Sequence, residues 1–128
     1  MFYADSSALT KLVVPESESD ALRAYNGDDH TVASSLLSIT ELLRAAYRTN
    51  TELDGQARRV LASLLLIDID RAVLKSAATL ASPALRTLDA IHVTTALTLG
   101  RDLDAVLTYD TRMSKAARST GFRVKAPV

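Results

Sequence analysis

The sequence has no cysteine, which excludes disulfides and thiolate metal ligands. Its start, Met1-Phe2-Tyr3-Ala4-Asp5, lacks the basic n-region of a secretory signal, and both absences lead to the expectation of a reducing, cytoplasmic setting. Long apolar runs are missing too. The longest, around Leu64-Leu65-Leu66-Ile67, falls far short of the roughly 18 residues a membrane-crossing helix needs, so no membrane role is expected. Glycine and proline number only four and three, and no repeat, low-complexity stretch or linker breaks the chain. Residues 1–128 are therefore expected to form one domain with short connections. An excess of one charge is also lacking, since fifteen basic residues balance fifteen acidic ones. That excludes nucleic-acid binding by bulk positive charge and leaves a local patch or a metal ion for any such contact.

What is present is a real core: 48% of the residues are hydrophobic, and a domain of this length buries about two-thirds of its unfolded surface. Short apolar runs bounded by polar residues read as buried parallel strands at Phe2-Tyr3-Ala4, Thr31-Val32-Ala33, Leu65 to Ile69, Ala105 to Tyr109 and Phe122-Arg123-Val124. Helical periodicity lies between them. Ile39, Leu42, Leu43, Ala46 and Tyr47 form one stripe. Further helices are expected over Ser17 to Tyr25, from near Leu53 through Val60 and Leu64, over Ala72 to Leu80, Thr87 to Leu99 and Thr111 to Thr120. Gly100 and Gly121 are placed to end the last two, and Ser82-Pro83 reads as a short turn. Strands alternating with helices predict an α/β domain with a mainly parallel sheet, whose functional crevice lies beyond the carboxyl ends of the strands.

That rule selects the acids. Asp5 and Asp110 each follow an apolar strand, so parallel strands bring both carboxylates to one sheet edge. Either alone is explained as an N-cap; two together point to a site. Asp89 lies in a segment apolar nearly all round, with Leu88, Ala90, Ile91, Val93, Ala96, Leu97 and Leu99. A carboxylate in such a helix needs a partner, a proton or a metal. Glu41 is weaker evidence by itself. Ser38-Ile39-Thr40-Glu41 matches a capping box, and with Arg44 and Arg48 it lies opposite the apolar stripe. Two unit charges 4 Å apart repel by about 4 kcal/mol at an effective dielectric near 20. Converging carboxylates therefore call for a hard cation, magnesium or manganese, able to present a water to a phosphodiester.

These blocks carry a resemblance. Tyr3-Ala4-Asp5-Ser6-Ser7-Ala8-Leu9, Thr40-Glu41-Leu42-Leu43-Arg44-Ala45, Leu85-Arg86-Thr87-Leu88-Asp89-Ala90-Ile91-His92 and Leu107-Thr108-Tyr109-Asp110-Thr111-Arg112-Met113 follow one another as in PIN-domain ribonucleases, and the whole chain resembles the VapC toxins of bacterial toxin–antitoxin pairs. The resemblance implies a three-layer α/β/α fold with a five-stranded sheet. It implies a magnesium-dependent endoribonuclease that cuts structured RNA such as tRNA or ribosomal RNA, is inhibited by a cognate antitoxin and forms a homodimer. It carries over Asp5, Glu41, Asp89 and Asp110 as catalytic, metal-binding acids, with Ser6 and Thr108 as polar neighbours. Because Thr111, Arg112, Met113 and Ser114 follow Asp110 where some members have a further acid, a second ion would have fewer ligands.

Other patterns point elsewhere. Asp68 and Asp70 form an Asp-x-Asp of phosphatase type, but Ala72 stands where threonine or valine is usual and no glycine-rich loop follows, so Asp70 is expected to cap the helix from Arg71. A phosphoacceptor receiver domain would want an acidic pair after the first strand, where Ser6-Ser7 stand, and a lysine sooner after Asp110 than Lys115. An inactive module keeping the fold is a third reading. His92 is expected to pack or hydrogen-bond rather than ligate, Asp28-Asp29-His30 to form a loop, and Asp102 and Asp104 to lie in a solvated turn. Arg44, Arg48, Arg86 and Arg112 are candidate phosphate contacts or ordinary surface charges.

Overall fold

Five apolar runs pair as parallel strands in the computed structural model, which describes residues 1–128. They are β1 (Phe2–Ala4), β2 (Val32–Ser35), β3 (Leu65–Ile67), β4 (Ala105–Leu107) and β5 (Val124–Lys125). The sheet order is β3-β2-β1-β4-β5. The chain thus builds outward from β1 to one edge, then returns to build β4 and β5 on the other side. β1 and β4, in register at Phe2–Ala105, Tyr3–Val106 and Ala4–Leu107, flank the switch point of the winding, where parallel sheets open a crevice.

Seven helices connect the strands: α1 (Ser6–Val13), α2 (Ser19–Asn26), α3 (Leu37–Thr49), α4 (Asp54–Ser63), α5 (Arg71–Ala78), α6 (Thr87–Leu99) and α7 (Thr111–Ser119). Side chains alternate across each strand, so β1 feeds two cores. Phe2 and Ala4 pack with Leu9, Val13, Leu22, Leu42 and Val60 on one face; Tyr3 packs with Val93, Ala96, Val106 and Met113 on the other. The result is the expected three-layer α/β/α arrangement. No helix is long and apolar enough to cross a membrane.

Several expectations need correction. The edge strands β3 and β5 are only partly covered, because one neighbour is missing on each, so the reading of five buried strands holds for β1, β2 and β4 alone. A helix not expected from the sequence, α1, directly follows β1, and its short stripe of Ala8, Leu9, Leu12 and Val13 packs into the core. The stripe assigned to α3 is rotated: Ile39 and Tyr47 are exposed, and Ser38, Leu42, Ala45 and Ala46 face inward. Leu88 and Leu97 are likewise exposed, leaving residues 90–96 as the buried part of α6. Gly100 ends α6 with a φ of 54°, a left-handed conformation that glycine adopts without a Cβ clash.

Candidate active site

Asp5 directly follows the central strand β1 and Asp110 lies three residues beyond its neighbour β4, and each caps the helix that follows. The Asp5 Oδ1 accepts the Ala8 backbone N–H at 3.1 Å, and the Asp110 Oδ1 accepts that of Met113 at 2.8 Å. The capping reading is therefore true of both, and it fixes the carboxylates at one sheet edge. Two hydroxyls join them. Thr108 Oγ1 donates to Asp5 Oδ2 at 2.5 Å and accepts the Asp110 backbone N–H at 3.1 Å. Ser7 Oγ donates to Asp5 Oδ1 at 2.6 Å and accepts the Tyr109 backbone N–H at 2.9 Å. Asp5 is buried, and that burial holds its carboxyl above the ordinary range, partly offset by the Ser7, Thr108 and Ala8 hydrogen bonds.

Asp89 opens α6 in its first turn, half-buried. Its carboxyl is raised by burial first, then by the negative charges of Asp110, Asp5 and Glu41, with His92 opposing. The four acids named from sequence thus share one electrostatic neighbourhood. They do not crowd: no three Asp, Glu, His or Cys side chains stand close enough to enclose an ion directly.

Glu41 does not form the expected capping box. The helix begins at Leu37, Ser38 is buried inside it, and Ser38 Oγ bonds Ser34 Oγ at 2.6 Å instead. Glu41 Oε1 accepts from His92 Nε2 at 2.7 Å. Burial raises the Glu41 carboxyl, but the His92 hydrogen bond and charge, with help from Ser6, outweigh it and leave the group below its ordinary value. Of the two polar neighbours named from sequence, Thr108 holds Asp5, while Ser6 sits beside Glu41; the second hydroxyl at Asp5 is that of Ser7, which was not expected there.

Two open cavities flank the acids. One of about 330 Å³ is lined by Ser6, Thr10, Thr40, Glu41, Arg44 and Arg48, among others. The other, of about 370 Å³, includes Thr108, Asp110, Thr111, Ser114, Lys115 and Arg118. Arg44 and Arg48 therefore line the site's margin. Arg112 lines a third cavity with Ser82 and Leu85, and Arg86 is exposed at the start of α6. Lys115 and Arg118 belong to the basic set by position, though only the fold reveals it.

Residues 2–119 match the family model described as PIN domain. The chain belongs to the PIN-domain family. This PIN domain is 47% identical over 125 residues to Ribonuclease VapC46 of Mycobacterium tuberculosis, covering 98% of this chain and 96% of that protein. It is 42% identical over 132 residues to Ribonuclease VapC35 of the same species, covering 99% and 97%. A solved toxin–antitoxin complex from Klebsiella pneumoniae superposes with a TM-score of 0.74 at 19% identity, covering 100% of this chain and 98% of that one. At that identity the likeness speaks to the fold.

The donor set of the PIN domain suits a hard cation. Its acids offer oxygen alone, and Asp89 already feels three other carboxylates. Magnesium keeps several waters and takes only one or two carboxylates directly, so it does not need the acids to enclose a bare ion, which they do not do. Thiolate-loving metals have no ligand here, as the chain lacks cysteine.

Proposed function

We propose that this PIN domain, acting as one unit over residues 1–128, is a divalent-metal-dependent endoribonuclease and the toxin of a toxin–antitoxin pair. The observation carrying the reading is the Thr108 hydroxyl, which donates to Asp5 and accepts the Asp110 N–H, so that the acids following β1 and β4 are tied together at one edge of the sheet; Asp89 and Glu41 lie in the same electrostatic neighbourhood. The ribonuclease names of relatives at 42–47% identity over nearly the whole chain support it. Asp5, Glu41, Asp89 and Asp110 would hold Mg²⁺, or Mn²⁺ in its place. When bound, such an ion makes a water more acidic and offsets charge developing on the phosphodiester.

The chain's own residues supply the rest. Ser7 and Thr108 fix both Asp5 oxygens, so that carboxylate meets its ligand already oriented. Asp110 is held by its helix cap through Oδ1. Asp89, whose carboxyl lies above its ordinary value through burial and the neighbouring acids, would take the proton of an attacking water. Arg44 and Arg48 on one side, and Lys115 and Arg118 on the other, give a neutral protein the local positive charge an RNA backbone requires. The substrate is structured RNA such as tRNA or ribosomal RNA, met in the cytoplasm, and the protein works as a homodimer neutralised by a cognate antitoxin.

The test is cleavage of structured RNA by the purified protein. Activity should vanish in EDTA, return with Mg²⁺ or Mn²⁺, and be lost in Asp5→Asn and Asp89→Asn with folding intact. Full activity in either variant, or in EDTA, contradicts the reading. Failure of the wild type to bind either metal at millimolar concentration would favour an inactive module that retains the fold.

A further inference from the structure

Three structural elements carry three of the acids: β1 leads into Asp5, α6 holds Asp89 and α3 holds Glu41. The same three elements are joined by a second set of side chains. Tyr3 of β1 and His92 of α6 are both fully buried. The Tyr3 hydroxyl lies 2.7 Å from His92 Nδ1, the rings meet edge-on with centroids 5.9 Å apart, and His92 Nε2 lies 2.7 Å from Glu41 Oε1. A carboxylate only accepts hydrogen bonds, so Nε2 carries the hydrogen that faces Glu41. Nδ1 and the Tyr3 hydroxyl then share the second hydrogen bond of the ring.

We infer that Tyr3 and His92 are positioning residues: a strut from β1 through α6 that fixes one oxygen of Glu41 and thereby the spacing of Glu41, Asp89 and Asp5. Glutamate has a long, freely rotating side chain, and His92 removes that freedom before any ligand arrives. His92 also stands three residues after Asp89, so one helix face carries both the acid and the anchor of its neighbour. His92 holds Oε1, and Ser6 is the other group that acts on the same carboxylate. A residue that orients a metal-ligating group through a hydrogen bond typically changes metal affinity on the order of 10–100-fold when removed. The inference rests on the metal-site reading above, and its test separates the two.

In the ¹⁵N-labelled wild-type protein without metal, long-range correlations of the His92 ring should show a protonated Nε2; an Nε2 without hydrogen overturns the strut. Mg²⁺ affinity by calorimetry should fall on the order of 10–100-fold in His92→Leu and largely recover in His92→Gln, whose amide can still donate toward Glu41. Unchanged affinity in His92→Leu overturns the inference. Tyr3→Phe, the gentler change, should weaken binding less than His92→Leu. Should the wild type bind no Mg²⁺, the metal reading falls, and the Glu41 carboxyl ¹³C resonance decides the strut: displaced in Tyr3→Phe and His92→Leu if it holds, unmoved if it does not.

Discussion

Asp70 and Asp110 look alike at close range. Each follows a strand, each adopts extended backbone, and each accepts the N–H three residues on at 2.8 Å to start a helix. Their surroundings differ entirely. Asp70 comes after β3, at the edge of the sheet, whereas Asp110 comes after β4, beside β1 and Asp5 at the switch point of the winding. A helix cap is thus a local event that says nothing about function; the position of the strand in the sheet decides which cap becomes part of a site.

The comparison can be sharpened first through activity. Asp110→Asn keeps the cap, since asparagine caps as well as aspartate, but removes the charge. RNA cleavage should fall sharply, because a carboxylate that would hold the metal ion is lost, while Asp70→Asn should cleave as the wild type does. Equal loss in both would break the distinction.

The next effect concerns the hydroxyl joining the central pair. Thr108→Val preserves shape but removes both the donor to Asp5 and the acceptor for the Asp110 amide. Leaving these buried groups unpaired should cost about 1–3 kcal/mol, measured by urea unfolding. A smaller loss comes from the caps themselves. Asp70→Ala and Asp110→Ala should each destabilise by about 0.5–2 kcal/mol, similar to one another although only the second affects cleavage.

The pH response is finer still, and it divides the site's acids by sign. Burial raises the folded-state pKa of Asp5. Its contribution to stability is therefore fully present at low pH and is lost as pH rises through the raised value. Without metal, the wild type should lose stability relative to Asp5→Asn as pH climbs out of the ordinary carboxylate range. Glu41 behaves oppositely: its value is lowered, so its contribution holds above the ordinary carboxylate range and fades as pH falls through the lowered value. Thermal melts of Asp5→Asn and Glu41→Gln across pH should bend in opposite directions; parallel curves would contradict these assignments.

Much of this was legible in the chain. The apolar runs ending at Ala4 and at Tyr109 point to Asp5 and Asp110, although β4 itself stops at Leu107, two residues earlier than that run, because the Thr108 hydroxyl turns to the two acids. The apolar setting of Asp89 was legible too, since residues 90–96 of its helix are indeed buried. Glu41 was not. Its capping-box pattern is real in sequence, but α3 begins one residue before Ser38, and the rotation that exposes Ile39 and Tyr47 is set by packing on the sheet. His92 was read as a hydrogen-bonding residue, which the structure bears out; that its two partners lie 89 and 51 residues away in sequence could come only from the fold. The roles of Ser7, Lys115 and Arg118 at the site were hidden for the same reason.

The most direct test is an Mg²⁺ titration followed by the carboxyl ¹³C resonances of the labelled protein. Asp5, Glu41, Asp89 and Asp110 should shift together with a single midpoint while Asp70 stays still. Independent shifts, or none beyond those of Asp70, would contradict a shared metal site.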